Sequence, residues 1–473
     1  MGKVTPINAR YDAGFYSDYN PTPPAAQSAD AEINAAGNNL RNWARYLSKN
    51  SSIIKAVLDA RVAKGVGRGL RYEPMVRNRK GELLTKLNDE IRRIHDEWSK
   101  KVDVTGELSR AEVETLTWRD WDTVGEVFAR RVYRGRSGDR VGYQLQLIKS
   151  EMVPYGTYMG QDDIRMGVER DDWGAPVRYW VSPYSQTSNL WNWMQPQQEW
   201  QAISADDICH LRRQEELDAT RGVTLFHAVI FRASDIAEYQ QSHRRAARAT
   251  ANLFASINRD IGYDKTPLPP EQQGAVQNEL NLIDLQIIDY MREGESVNFH
   301  QPQHPNQNAV DFVNQELRQL AAACRVAFSW IAYVFDRAYA AQRTELVHAW
   351  EMIYQDQQKF INDFAKPCLY EQPLRMAMLE GRLSARLMRQ ADPATMMDVR
   401  IEGPVMPSID PLADRKTAEL DQNNGWDSRQ GIIRRFSREP GQVDGERDQD
   451  DFEPMAQQPL QFGQPPDDED ENP

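Results

Sequence analysis

The chain has 473 residues, enough for two or three domains, with 57 basic and 70 acidic residues and a formal net charge of −13. Eleven acids and one base lie in residues 441–473, so the rest of the chain is nearly neutral and lacks the basic excess of an electrostatic nucleic-acid binder. Three cysteines without a CxxC spacing argue against a disulfide framework or a zinc site. The absence of a long apolar run and of a signal-peptide pattern predicts a soluble, intracellular protein without a membrane partner.

Residues 1–30 are polar and rich in proline, but they contain four aromatic residues that lack helical spacing: Tyr11, Phe15, Tyr16 and Tyr19. A solvated linker would not need these rings, so we expect residues 1–30 to form an arm that docks on a surface.

Apolar spacing predicts a first helix over residues 38–63, with Trp43 on its apolar side, and a second over 83–101. The sequence GVGRG at 65–69 lies between a helix and a strand-like segment. A dinucleotide fingerprint needs the order strand, glycines, helix. We therefore interpret 65–69 as a turn.

Residues 110–212 have the pattern of an α+β domain with an antiparallel sheet. A helix is predicted from Ser109 to about Arg134, followed by a strand at 144–148. The run Asp171–Gly174 separates two alternating segments within 164–181, which is a hairpin signal.

The longest predicted helix covers residues 221–259, which contain no proline and no glycine after Gly222. At 1.5 Å per residue it would be about 55 Å long. Its second half is rich in alanine and carries Arg244, Arg245 and Arg248, and small residues allow close packing against copies of the same helix. The alternative is a long core helix of an ordinary α+β domain.

The sequence after residue 259 predicts one further strand and three further helices. The proline-rich segment after Gly262 cannot continue the long helix, and a strand is predicted to end in SVNFH, residues 296–300. A second apolar helix begins at 308, and a third runs over 342–380 with breaks at Pro367 and Pro373. A short polar helix lies near 414–422, and residues 441–473 are predicted to be disordered and dispensable for assembly because they are acidic and poor in apolar residues.

Sequence motifs for catalysis are missing. The sequence has no GxxxxGK[ST] phosphate loop, no HExxH and no GxSxG. Ser52 and Lys55 match SxxK only within a predicted helix, and His300 and His304 flank a proline that keeps them off a common helical face. Paired aspartates, such as Asp171 with Asp172, are expected in turns. We therefore predict no catalytic residue, no cofactor, no metal site and no enzymatic activity.

The order of these segments resembles the lambda-type portal protein family of tailed bacteriophages over about residues 35–440. Similar blocks include NNLRNWARYLSKNSSIIKAVLDARVAKGVGRGL, TWRDWDTVGEVFARRV with Trp118 and Asp122, YQLQLIKSEMV, GVERDDWGAPVRYWV, ISADDICHLRRQEELDATRGVTLFHAVI, REGESVNFHQPQHPNQNAVDFV and MPSIDPLADRKTAEL. The family's NYSSAR-like motif falls on residues 338–343, where Tyr339 and Arg343 are kept.

The resemblance implies a phage portal fold: α+β, mainly helical, with long stem helices and an antiparallel-sheet wing. It implies the following regions: an amino-terminal arm at 1–30, a wing at 31–220, a stem helix at 221–258, a clip at 259–307, a second stem helix at 308–327, a tunnel loop at 328–343, a kinked helix and crown at 344–440, and a disordered acidic tail at 441–473.

The implied function is a twelve-subunit ring at one capsid vertex, through which double-stranded DNA is packaged and ejected. The implied partners are a terminase motor, major capsid and scaffold proteins, and head–tail connector proteins, in a virion assembled in the host bacterial cytoplasm. We expect Tyr339 and Arg343 near the DNA channel, with Arg343 partly neutralised by Asp336 or Glu345, and Arg244, Arg245 and Arg248 at subunit contacts. Another head–tail connector or capsid protein remains an alternative, as does a nucleic-acid enzyme using Asp162, Asp171 and Asp206.

Overall fold

The computed structural model describes residues 28–133, 141–155, 164–182, 200–252, 255–259, 295–299, 307–333, 339–407, 410–436, 438 and 440–449. The chain divides into two units, Met1–Gly403 and Pro404–Pro473. The described residues are mainly helical, with antiparallel sheets in the first unit. The predicted α+β class is therefore confirmed. Most of the predicted arm lies outside the described residues.

The described residues in the amino-terminal half of the first unit form four α-helices. They are α1 (Ala29–Asn50), α2 (Ser52–Gly65), α3 (Thr85–Ser99) and α4 (Arg110–Val124). The single helix predicted over 38–63 is two helices, because Ser51 has an extended backbone and its hydroxyl caps α2 by accepting from the Ile54 amide. The expected turn follows α2 at residues 66–68.

Among the described residues the first unit has four antiparallel sheets, two of which contain more than two strands. The first has the order β3 (Tyr143–Ile148), β2 (Glu126–Tyr133), β8 (Ile208–Arg212). The second has the order β4 (Ile164–Arg165), β5 (Val168–Arg170), β6 (Pro176–Val181), β7 (Gln201–Ser204). A strand pair joins β1 (Arg71–Pro74) to β11 (Val399–Glu402), far away in sequence. The predicted hairpin at 171–174 is confirmed between β5 and β6.

The helix predicted to end near Arg134 is wrong, because α4 ends at Val124 and β2 begins at Glu126. Between them Gly125 has a φ of 94°, a left-handed conformation that ends the helix. A Cβ at Gly125 would lie 2.2 Å from the carbonyl carbon of Val223, and one at Gly222 would lie 2.1 Å from the Gly125 carbonyl oxygen. Two glycines therefore permit a close backbone crossing that a helical period does not reveal.

The same crossing shortens the long helix predicted over 221–259. Helix α5 covers Ile230–Asn252, and Ala255–Arg259 is a strand, β9, paired antiparallel with β10 (Glu295–Phe299). Arg221 and Gly222 cannot be helical because both are held against Glu126. The predicted strand at 296–300 is confirmed to within one residue. The rest of 259–307 lies almost entirely outside the described residues.

Four further helices continue the first unit: α6 (Gln307–Ala323), α7 (Phe328–Ala332), α8 (Tyr339–Phe360) and α9 (Gln372–Leu379). The breaks predicted at Pro367 and Pro373 are wrong, because a π-helical segment at Ile361–Glu371 joins α8 to α9. The wider π turn accommodates Pro367, which has no N–H to donate. Pro373 lies in the first turn of α9, where proline is tolerated. The short helix α10 (Ala385–Met388) follows.

The largest apolar core joins both ends of the first unit. Trp118 and Trp121 of α4 meet edge-on, with ring centroids 5.3 Å apart, and Phe360 at the end of α8 packs against both. All three side chains are buried. Burial of these aromatic rings thus fixes the end of α8 against α4 and the β3–β2–β8 sheet.

The second unit contains α11 (Pro411–Asn423), α12 (Arg429–Arg435) and α13 (Pro440–Gln449). Helix α11 confirms the predicted polar helix near 414–422. The prediction of disorder from residue 441 is wrong for the first nine residues, because α13 forms an ion pair with α12 through Arg429 and Asp444, at 2.6 Å. Residues 450–473 lie outside the described residues.

A buried histidine makes the fold sensitive to acid. The Nε2–H of His95 donates to the Leu369 carbonyl oxygen at 2.9 Å. Burial and the nearby Arg110 charge lower the pKa of His95 from 6.5 to about 3. The unfolded chain binds this proton near pH 6.5 and the folded chain does not, so stability falls as the pH drops from about 6.5 towards 3.

We predict that His95→Gln removes part of this pH dependence, because the glutamine amide can donate to the same carbonyl without titrating. Between pH 6.5 and 5 the parent should lose about 2 kcal/mol through this group, and the variant should lose correspondingly less. Urea unfolding at both pH values measures the difference. His348→Gln, at an exposed position of α8, is the control. Equal slopes for all three proteins would contradict the prediction.

Candidate functional site

The two residues predicted at the DNA channel are one helical turn apart. Tyr339 is the first residue of α8 and Arg343 lies four residues later, so both positions are on the same side of the helix. The Arg343 side chain is exposed. The sequence predicted a single loop at 328–343. This segment instead contains all of α7 and the first turn of α8. Residues 334–338, with Asp336, lie outside the described residues.

Helix α7 packs against the first turns of α8. The Ser329 backbone N–H donates to Glu345 at 3.3 Å, and the rings of Trp330 and Trp350 meet edge-on at 6.0 Å. Lys64 of α2 lies over the Trp330 ring at 5.5 Å. Glu345, one of the two acids expected near Arg343, therefore binds the α7 backbone. These contacts fix the direction in which α8 leaves the body.

A buried ion cluster joins α8 to the amino-terminal helices. Arg61 of α2 binds Asp122 of α4 at 2.9 Å and Asp356 of α8 at 2.5 Å. Arg213, which follows β8, binds the same two carboxylates at 2.8 and 3.5 Å. Burial alone would lower the pKa of Arg61, but the charges of Asp122 and Asp356 outweigh it and raise that pKa. Two buried cations thus face two buried anions, and the exposed Arg325 also contacts Asp356, at 3.5 Å.

A second buried cluster holds the segment that leads into α5. Both oxygens of Glu126 accept from Arg221, the closest contact being 2.6 Å, and His210 lies 3.1 Å away. Burial would raise the pKa of Glu126, but the Arg221 charge lowers it far below its usual range. The Gly222 N–H also donates to Glu126 at 3.1 Å. Arg221, read from the sequence as the start of a helix, instead anchors α5 to the sheet.

Helices α5 and α6 pack together, and their contact leaves an apolar face exposed. Arg232 and Glu316 are 3.5 Å apart, and the rings of Tyr239 and Phe312 meet at 5.2 Å. The Phe231 and Phe312 side chains, which line one pocket on this surface, are 76% and 47% exposed. Large apolar side chains clustered on one surface are typical of a contact with another molecule.

The three arginines predicted at subunit contacts, Arg244, Arg245 and Arg248, are exposed on α5. Arg244 and Arg245 line a groove between α5 and α1 of their own chain. The structure contains one chain, so a role between subunits stays a prediction.

Two of the three aspartates of the enzyme alternative, Asp171 and Asp206, lie in a turn and in a one-turn helix. The Asp171 carboxylate accepts from the backbone N–H groups of Trp173 and Ala175, at 3.0 and 2.7 Å. Asp206 is exposed in a one-turn helix after β7, and Asp162 lies outside the described residues. Within the described part of the chain, no group of three His, Cys, Asp or Glu side chains could hold a metal ion. Among these residues no helix is long and apolar enough to cross a membrane.

The sequence patterns do not reveal either buried ion cluster, and they wrongly place Trp43 on the buried side of α1. Its ring is 45% exposed, because the buried stripe of α1 runs through Ala44 and Leu47. Several members of the clusters lie within the family-like blocks, but only Asp122 was singled out there. No spacing rule links Arg61 to a carboxylate 295 residues away.

Comparison with known proteins matches the sequence model "Phage portal protein, lambda family" to residues 20–357. The chain is also 26% identical over 376 residues to a "Probable portal protein" of Halomonas phage phiHAP-1, across 75% of this chain and 69% of that relative.

Among solved structures, a chain of the virion of a native gene transfer agent particle has a TM-score of 0.43 and 12% identity, over 89% of this chain and 96% of that one. An HK97 family phage portal protein from Corynebacterium diphtheriae has a TM-score of 0.28 and 13% identity, over 81% and 100% of the two chains.

We predict that Arg61→Met destabilises the chain by about 3–5 kcal/mol, because it leaves buried carboxylates short of one cation. Lys55→Met is the matched control on the same helix, since Lys55 and Asp59 form an exposed pair at 3.0 Å and such a pair contributes at most about 1 kcal/mol. Urea unfolding at pH 7.5 gives both values. Equal losses for the two variants would contradict a structural role for the buried cluster.

Proposed function

Because the chain belongs to the lambda family of phage portal proteins, we propose that about twelve copies form a closed ring at one capsid vertex, through which double-stranded DNA enters and leaves. The single observation that carries this proposal is the family match across residues 20–357. The ring number comes from the resemblance to the family.

The exposed face of the α5–α6 pair is the surface that we assign to contacts between subunits. Phe231 and Phe312 line one exposed surface of a single chain, and burying them against a neighbour is favourable. A ring uses heterologous contacts, in which this face meets a different surface of the next copy. We assign α5 and α6 to the stem, and β9 and β10 to the base of the clip.

The proposed ring acts as a conduit rather than a motor. The sequence has no phosphate loop, so the force for packaging would come from a separate terminase that docks on the ring. Major capsid, scaffold and head–tail connector proteins are the other proposed partners. Assembly would take place in the host bacterial cytoplasm, and the finished location is the virion.

We assign the first turn of α8 to the wall of the DNA channel. One Arg343 per subunit would place about twelve positive charges around the axis, and each cation at a phosphate raises affinity for DNA in a salt-dependent way. A conduit must let DNA slide, so we propose that nearby groups moderate this charge. Arg343 is exposed on a helix whose first turns are braced by α7, which would hold it in a fixed position.

We predict that Phe231→Asp prevents ring formation, because a charge in the buried part of a subunit contact carries a desolvation cost. Leu217→Asp is the matched control, since Leu217 is fully exposed in a loop before α5. Native mass spectrometry should show rings for the parent and the control, and monomers for Phe231→Asp. Rings formed equally by Phe231→Asp would refute the assigned contact face.

A parent chain that stays monomeric or dimeric across salt conditions would refute the proposed function itself. Steady ATP turnover by the purified ring would refute the assignment as a passive conduit.

We predict that Tyr339→Ala combined with Arg343→Ala leaves ring assembly intact and alters DNA packaging, retention or ejection in an assembled particle system. Arg343 is exposed and both positions lie at the start of α8, so we expect the double substitution to leave the chain folded. Arg79→Ala, at an exposed turn near α3, is the control. If rings form and all three DNA properties match the parent, these residues do not handle DNA.

A further inference from the structure

An open groove of about 910 Å³ lies between α1 and α5. Its floor includes Leu47 and Ala233, which belong to the apolar core. Its walls carry Trp43 and Tyr46 from α1 and Arg244 and Arg245 from α5. The groove therefore combines an apolar floor, two aromatic rings and two cations.

The two aromatic side chains of the groove are each about half exposed. Trp43 is 45% exposed and Tyr46 is 56% exposed, and their rings meet edge-on at 5.9 Å. Amide side chains of Asn39, Asn42 and Gln241 also line the groove. Aromatic rings with amide donors and arginines around them favour a ligand that has aromatic side chains and negative charge.

The chain itself contains a segment with this chemistry. Residues 11–19, YDAGFYSDY, have four aromatic residues and two aspartates, and no Lys or Arg occurs between Tyr11 and Gln27. The segment lies outside the described residues. Its two negative charges complement Arg244 and Arg245, and its rings complement Trp43 and Tyr46.

The segment 20–27 is long enough to reach from Ser28 to the groove. Trp43 and Tyr46 are 15 and 18 residues beyond Ser28 along α1, or about 22 and 27 Å at 1.5 Å per residue. The eight residues 20–27 span at most about 28 Å. Tyr19 can therefore reach the groove from Ser28 without leaving its own subunit. A tethered segment also has an effective concentration in the millimolar range, which favours its own groove over a neighbour's.

We propose that residues 11–19 bind in the α1–α5 groove of the same chain, with their aromatic rings against Trp43 and Tyr46 and their aspartates facing Arg244 and Arg245. The bound segment covers the junction where α5 leaves the body and ties it to α1. This contact requires one chain only, so it holds whether or not copies assemble into a ring.

The experiment uses photo-cross-linking in the full chain. The photoreactive analogue p-benzoylphenylalanine replaces Phe15, and equal amounts of chains labelled with ¹⁴N and ¹⁵N are mixed before assembly and irradiated. Mass spectrometry should find cross-links to peptides containing residues 39–47 or 237–245, always joining peptides with the same isotope. Mixed-isotope links would show exchange into a neighbour's groove and overturn the proposal. Links only to other parts of the chain would also overturn it.

Limited chymotrypsin digestion gives a second readout, because the enzyme cleaves after the arm's aromatic residues when they are accessible. Removal of both groove rings by Trp43→Ala with Tyr46→Ala should speed cleavage at Tyr11–Tyr19 by about fivefold or more, the scale of two lost aromatic contacts. Trp173→Ala is the control, since Trp173 is 94% exposed in the β5–β6 hairpin. Equal cleavage rates in parent, variant and control would overturn the proposal.

A charge exchange separates binding from a general structural effect. Arg244→Glu with Arg245→Glu should also speed cleavage, and adding Asp12→Arg with Asp18→Arg should restore protection by reversing both sides of the contact. Failure of the second pair to restore any protection would show that the arginines do not face these aspartates.

Discussion

Two arginines and two aspartates in the core hold the structure together. Arg61, Asp122, Arg213 and Asp356 come from α2, α4, the segment after β8, and α8. Burying four charges is costly, and the arrangement is tolerated because each cation contacts both anions. A cluster of this kind fixes relative positions more strictly than apolar packing, since a small displacement leaves a buried charge unpaired. The direction of α8 therefore depends on residues near the start of the chain.

The second cluster applies the same constraint to α5. Arg221 and Gly222 are held by Glu126, and Gly222 crosses Gly125 at a distance that no side chain would allow. The helix begins only after this crossing, at Ile230. Helices α5 and α8, which we assign to functional surfaces, thus leave the body from points fixed by buried ion pairs. Their outer parts remain available for contacts, as the exposed Phe231 and the open groove beside α1 show.

Local patterns predicted most elements of the fold but not the places where distant segments meet. Helix α3, the β5–β6 hairpin and strand β10 follow from spacing and turn residues, which act over a few positions. The end of α4 and the start of α5 did not follow, because Gly125 and Gly222 have their effect through each other. Pro367 was read as a helix break, yet a π turn absorbs it. In the candidate site, positions 339 and 343 came from a family motif, whereas the contacts of Ser329 and Trp330 with Glu345 and Trp350 of α8 depend on tertiary packing.

We propose that the exposed helix faces of one chain become the inner and lateral surfaces of a closed ring. A cryo-electron microscopy reconstruction of the purified, assembled full-length protein would show these surfaces. We expect a ring with a central channel, the α5–α6 face buried between neighbours and the first turn of α8 directed towards the axis. An assembly without a channel, or a ring in which Phe231 faces solvent and Arg343 lies far from the axis, would contradict it.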